Sequence, residues 1–145
     1  MQKHIGGIAE SNGKEVAEET IYNALEKKKT FCGIQFDRID RNVKMYFKLL
    51  DLKGEFDIVL ENGDTLAIIE AKHNVEKKDV IKLYEKQADK FRKLFPTYKN
   101  YKIILGIGGL SFDKGVEEEA NRNGIGLIKV TGEGVEFHTS KIKIY

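Results

Sequence analysis

Phe56-Asp57-Ile58-Val59-Leu60-Glu61-Asn62-Gly63-Asp64-Thr65-Leu66-Ala67-Ile68-Ile69-Glu70-Ala71-Lys72 reads as two apolar strands joined by a tight bend at Asn62-Gly63. Asn-Gly between apolar runs signals a hairpin, because the favoured two-residue turns need positive φ, which these residues tolerate. With Asn62 and Gly63 alone in the loop, Glu61 faces Asp64, Asp57 lies opposite Ile68, and Glu70 is Asp57's diagonal neighbour. Side chains alternate faces along a strand, so Asp57 and Val59 share a face with Leu66, Ile68, Glu70 and Lys72. Diagonal neighbours lie about 7–8 Å apart at the backbone, and their side chains come closer. Two carboxylates therefore converge on a mostly apolar surface, with the Lys72 ammonium just beyond. Left unpaired, such acids repel or take up a proton, and a divalent cation removes both problems.

The remaining composition narrows the setting. A chain of 145 residues, 41% hydrophobic and 33% charged, is long enough for one packed domain spanning 1–145 and shows no bias toward disorder. Its 25 basic and 23 acidic residues leave a net charge of only +2, so any footprint for a polyanion has to be local. Cys32 is the single cysteine, which excludes an internal disulfide and a cysteine-built zinc site. Met1-Gln2-Lys3-His4-Ile5-Gly6-Gly7 lacks the apolar stretch of a signal peptide, and no run approaches membrane length. The expectation is a cytoplasmic protein without a membrane partner.

An acid on one strand of a hairpin and acid-x-Lys on the next resembles the signature of the PD-(D/E)XK nuclease superfamily. Asp57 is the first acid, Glu70-Ala71-Lys72 is the second motif, and Phe56 stands where the family name has proline. The resemblance implies hydrolysis of DNA phosphodiesters with Mg²⁺, for which Mn²⁺ substitutes, and family habit adds a homodimer. It also implies an extra glutamate from the first helix and a glutamine on the helix that follows the acid-x-Lys strand.

Taken in order, the periodicity predicts a helix over residues 12–28 with Ala17, Ile21, Ala24 and Leu25 as its apolar stripe. Asn12 and Glu15 have capping-box spacing. Glu18, on the border of the stripe, reads either as a solvated helix acid or as the family's extra metal ligand, with Glu15 as the fallback. Residues 30–42 read as loop or irregular edge. Val43 to Leu50 alternates, with Val43, Met45, Phe47 and Leu49 inward and Lys44, Tyr46 and Lys48 outward. Lysines flanking an aromatic can hold nucleic-acid phosphates around a stacked base, and a solvated outer face is the plainer reading.

After the hairpin, His73 follows the strand directly and is a candidate phosphate contact. A long helix is predicted from Glu76 to Leu94, stopped by Pro96 and buried along Val80, Leu83, Tyr84, Ala88, Phe91 and Leu94. Gln87 falls inside that stripe. It either bonds backbone or water, or serves as the glutamine the family places near the site. Tyr101 to Gly106 is the next strand, with Gly106-Ile107-Gly108-Gly109 as a flexible strand end. Asp113 to Asn121 is a short helix, residues 125–130 and 135–138 form a last hairpin, and Lys141 to Tyr145 add an edge strand.

The order predicts an α/β protein with an αβββαβαβ core: a mixed central sheet flanked by helices, the restriction-endonuclease-like arrangement. Magnesium prefers one or two carboxylates, waters and phosphate oxygens, which Asp57 and Glu70 suit, with Glu18 and the Ala71 carbonyl as further ligands. Lys72 supplies a base or a charge-stabilising cation. The leading expectation is thus a magnesium-dependent DNA endonuclease. Against it stand a non-catalytic nucleic-acid-binding or protein-interaction module on the same fold, and a purely structural use of Asp57, Glu70 and Lys72.

Overall fold

Six consecutive strands form one mixed sheet in which neighbours in space are neighbours in sequence, in a computed structural model that describes residues 5–139 and 141–145, with side chains from Asn12 onward. The chain begins with helix α1 (Ile5–Lys28), then a two-stranded hairpin of β1 (Thr30–Phe31) and β2 (Ile34–Gln35). The antiparallel strands β3 (Arg38–Phe47), β4 (Leu52–Glu61) and β5 (Thr65–Val75) follow. Lys77–Lys82 (α2), a π-turn over Leu83–Gln87 and Ala88–Leu94 (α3) make the long crossover helix to β6 (Lys102–Phe112), which runs parallel to β5. Helix α4 (Val116–Arg122) leads to β7 (Gly126–Thr131), parallel to β6, and β8 (Gly134–His138) closes the sheet antiparallel.

Burial explains the layers. Helix α1 buries Ala17, Ile21 and Leu25 against one face of the sheet, with Phe31 and Phe36 from the β1–β2 region, Ile58, Leu60, Ala67 and Ile69. The other face packs Val59, Leu66 and Ile68 under Val80, Leu83, Phe91 and Leu94 of the long helix and Val116 and Ala120 of α4. Glu76 and Asp79 cap that long helix reciprocally, so it starts where the sequence predicts. Among the described residues no helix is long and apolar enough to cross a membrane.

Several expectations need correction. The bend between β4 and β5 is wider than two residues: the last pair is Glu61 with Leu66, and Asn62 N–H bonds to Thr65 C=O. Asn62 Oδ1 accepts both the Asp64 and Thr65 N–H, so its side chain holds an open Asx-type bend and only Gly63 takes positive φ. The pairing therefore slides by an even step, which preserves the faces and brings Asp57 opposite Glu70 instead of Ile68. Helix α1 starts upstream of Asn12, so the predicted capping box does not form. Residues 1–4, at the start of the N-terminal stretch read above, lie outside the described residues.

Strand β3 begins earlier than predicted and ends at Phe47, where Lys48–Leu50 coil into a 3₁₀ turn. Leu49 is consequently 86% exposed rather than inward. Gly106, Gly108 and Gly109 are not a loose strand end but the buried middle of β6. A Cβ on Gly106 would meet Phe31 at 2.5 Å, and one on Gly108 would meet Ile21 at 2.6 Å and the Ile128 carbonyl at 2.8 Å. Glycine here lets helix and ring approach the sheet backbone closely. Residues 141–145 form no strand; Lys143 N–H bonds to Gly124 C=O, Tyr145 N–H to Ile103 C=O, and Arg92 holds the Tyr145 carbonyl.

Candidate active site

The β4–β5 ladder ends at Ile58 and Ile69, and from there the two strands part. β4 continues on β3 down to Leu52, while β5 continues on β6 up to Val75. Asp57 and Glu70 stand at this fork. The fork has a cause in the neighbouring strand, where β3–β4 pairing skips Asn42 and Asp57 and Asn42 takes the left-handed conformation at φ 54°. Phe56 and Val59 both pack toward the long helix, so β4 loses its alternation at Asp57. The Asp57 carboxylate consequently turns edgewise toward β5 instead of lying flat on one face.

Each acid satisfies the other's strand. Asp57 Oδ2 accepts the Ala71 N–H at 2.9 Å, in place of a main-chain partner on β4. The Glu70 carboxylate accepts the Asp57 backbone N–H. N–H and C=O of one residue leave an extended strand on the same edge, so the Ala71 carbonyl also faces the fork. Glu70 Oε2 is buried and has no hydrogen-bond partner. A buried acceptor without a donor is costly, at about 1–3 kcal/mol, and calls for a proton or a cation.

Burial, and then the adjacent Asp57 charge, push the Glu70 carboxyl up to about 7, while Lys14 and Lys72 pull the other way. The donor set fits a hard divalent ion: two carboxylates, one of them with an open oxygen, and a carbonyl alongside. Among the described residues no group of three or more His, Cys, Asp or Glu side chains is arranged to hold a metal.

Lys72, on the same face as Glu70, lines a cavity of about 30 Å³ with Glu70, Asp79, Lys82, Leu83, Gln87 and Ile107. Its ammonium lies 3.6 Å from Asp79 Oδ1, and Asp79 Oδ2 is held by the Glu76 N–H of the helix cap. Gln87 is 5% exposed and lines the same cavity; its amide Nε2 donates to the Glu55 carbonyl at 3.4 Å, the backbone bond that the plainer reading expects. The π-turn that contains it inserts a residue into the helical repeat, and Gln87 and Ala88 are both buried.

Glu18 is not brought to this pair. It is buried on the sheet side of α1, and its Oε2 takes the Arg41 Nε at 3.0 Å. One helical turn earlier, Lys14 reaches the site, its Nζ 3.4 Å from Asp57 Oδ2. Glu15 is exposed.

A model of the family described as a domain of unknown function (DUF8196) matches residues 17–137, a span that contains Asp57, Glu70, Lys72 and Gln87. The chain belongs to this family. No curated protein and no solved structure matches it.

In this DUF8196 chain the phosphate contacts expected from sequence divide. Lys44 and Tyr46 line a shallow groove with Lys53, Gly54 and Glu55 on the β3–β4 arm beyond the fork. Lys48 sits on the 3₁₀ turn at the arm's tip. His73 faces α1: a Cβ on Gly13 would lie 2.6 Å from its ring, so the imidazole packs on the helix backbone. Sequence reasoning missed Lys14, Lys53, Lys82 and Lys90, which line a cleft of about 290 Å³ with Asp57, Glu70 and Gln87. For Lys82 and Lys90 the signal was present, since both flank the buried stripe of the long helix that carries Gln87.

Proposed function

We propose that this DUF8196 chain is a metal-dependent deoxyribonuclease of the PD-(D/E)XK superfamily, hydrolysing DNA phosphodiester bonds with Mg²⁺, or Mn²⁺ in its place. The observation that carries the reading is the fork, where two carboxylates clasp each other's strands and Glu70 Oε2 is buried without a donor. The order of helix, three antiparallel strands, crossover helix and parallel strand supports the restriction-endonuclease-like core. So does the lysine-lined cleft, which supplies the local basic footprint that a net charge of +2 does not.

Asp57 and Glu70 would hold the cation, with the Ala71 carbonyl on the same edge. When bound, it supplies positive charge to the scissile phosphate and acidifies an attacking water. The protein's own groups do the rest. Lys72 Nζ, restrained by Asp79, donates toward phosphate oxygen as negative charge accumulates there. Lys53, Lys82 and Lys90 neutralise flanking phosphates and carry no sequence information. Gln87, its amide tied to the Glu55 carbonyl, walls the cleft beside Glu70. Cutting both strands of a duplex calls for two such sites, hence a homodimer on DNA.

The test is a cleavage panel on linear duplex, single-stranded, flap and four-way-junction DNA with Mg²⁺ or Mn²⁺. Products are expected only with metal, and Asp57→Ala, Glu70→Ala and Lys72→Ala each lower the rate by at least about a hundredfold. Activity that survives chelation or any of the three substitutions overturns the mechanism. The 3.6 Å contact of Lys72 with Asp79 favours one rival, a non-catalytic nucleic-acid-binding or interaction module that uses the lysine structurally. Metal-independent DNA binding with no turnover on any substrate selects that rival.

A further inference from the structure

Among the described residues, helix α1 meets the sheet through two ion pairs of opposite sense, one turn apart. Glu18 takes Arg41 of β3, and Lys14 takes Asp57 of β4. The first is a short contact on a buried carboxylate. The second is different in kind: at 3.4 Å it is long, Lys14's side chain is 45% exposed, and its partner is one of the two acids at the fork. The backbone behind it is fixed, because Gly13 lies flat against the His73 ring and Ala17 is fully buried. A firmly held helix thus presents a flexible four-carbon stem and a point charge over the acid pair. Lys14 also lines the cleft with Lys53, Lys82 and Lys90, so its ammonium has phosphate-binding company within reach.

We propose that Lys14 is a phosphodiester-binding residue of this site, whose ammonium stands against Asp57 as a stand-in cation until metal and substrate arrive and then turns to a phosphate oxygen. This rests on the reading of Asp57 and Glu70 as cation ligands. In the resting protein the ammonium offsets part of the charge that two adjacent carboxylates concentrate. It competes with a divalent ion for Asp57 Oδ2. Once displaced, it faces the cleft, where an incoming phosphate offers the anionic partner it has lost. No bond is made or broken in this exchange; one ion pair replaces another.

Two measurements on wild type, Lys14→Met, Lys14→Arg and Asp57→Asn decide it. Free Mn²⁺ is followed by electron paramagnetic resonance during titration without nucleic acid. Binding of a labelled duplex oligonucleotide is followed by anisotropy in Ca²⁺ across a salt series. Lys14→Met is expected to bind Mn²⁺ roughly two- to fivefold more tightly, since a half-exposed pair worth up to about 1 kcal/mol no longer competes. It is expected to bind the oligonucleotide more weakly, with the log–log salt slope smaller by about 0.9, one phosphate contact. Lys14→Arg keeps the slope.

Weaker Mn²⁺ binding by Lys14→Met makes Lys14 a mere positioner of Asp57 and overturns the proposal. So does a variant that matches wild type in both measurements. If wild type and Asp57→Asn bind Mn²⁺ equally poorly, the acid-pair reading itself fails and takes this one with it. Thermal melts confirm that each variant is folded, as expected at half-exposed Lys14.

Discussion

Replacing Glu70 by glutamine should make the metal-free protein more stable at alkaline pH and leave it nearly unchanged in acid. Burial and the neighbouring Asp57 raise the Glu70 carboxyl from 4.5 in the reference state to about 7 in the fold. A raised pKa means that the folded protein holds this proton more tightly than the unfolded chain does. The stabilisation is complete below the unfolded value, near 4.5, and is lost as pH rises through about 7. Integrated over that window the loss is on the order of 3 kcal/mol, or roughly 10 °C in melting temperature for a domain of this size. Glutamine has the same shape, can accept the Asp57 N–H and carries no charge to desolvate.

The assay is a set of thermal melts of wild type and Glu70→Gln in EDTA between pH 5 and pH 8.5. Groups that titrate alike in both proteins cancel in the difference. Glutamine should lead slightly at pH 5, gain steadily until the pH passes about 7, and hold a constant lead above it. Millimolar Mg²⁺ or Mn²⁺ should then raise the wild type at pH 8.5 by mass action and leave Glu70→Gln largely unmoved. A difference between the two proteins that stays flat across the pH range would refute the burial account of the fork.

Three other perturbations probe the same architecture. Gly13→Ala should destabilise the fold by about 1–3 kcal/mol in urea unfolding, because its Cβ would lie 2.6 Å from the His73 ring. In a His73→Ala background the same change should instead stabilise by up to about 1 kcal/mol, the ordinary helical gain of alanine over glycine. Gly108→Ala should cost at least about 2 kcal/mol in the same measurement, since one of the atoms in its way is the Ile128 backbone carbonyl, which cannot rotate aside. Glu18→Gln should leave Mn²⁺ affinity within a factor of two or so of wild type by calorimetry, because that carboxylate serves Arg41; a large loss would restore Glu18 as a metal ligand.

Much of the fold was legible because its signals are local. The apolar stripe of α1, the cap and stop of the long helix and the apolar run of β5 each depend on residues within a turn or two of one another. The element order followed from them, and so did the shared face of Glu70 and Lys72. Asn62-Gly63 marked a hairpin correctly and its width incorrectly. The Asn62 side chain, by bonding two further amides, opened the bend. The acids still met because an even slide in register keeps the paired residues on their faces up to Ile58 and brings Asp57 beside Glu70, where its carboxylate turns edgewise toward β5. An odd slide would have separated them.

By itself, then, the chain determined that two carboxylates and a lysine would gather where a hairpin crosses the sheet. Only the tertiary structure decided how they meet. The parting of β4 from β5 depends on the left-handed Asn42 in the neighbouring strand. Lys14 of the first helix reaches Asp57 where Glu18 does not, because Arg41 claims the glutamate. The glycines of β6 proved to be packing surfaces for Phe31 and Ile21. Each of these joins residues far apart along the chain, and local pattern carries no information about which distant side chain will occupy a given space.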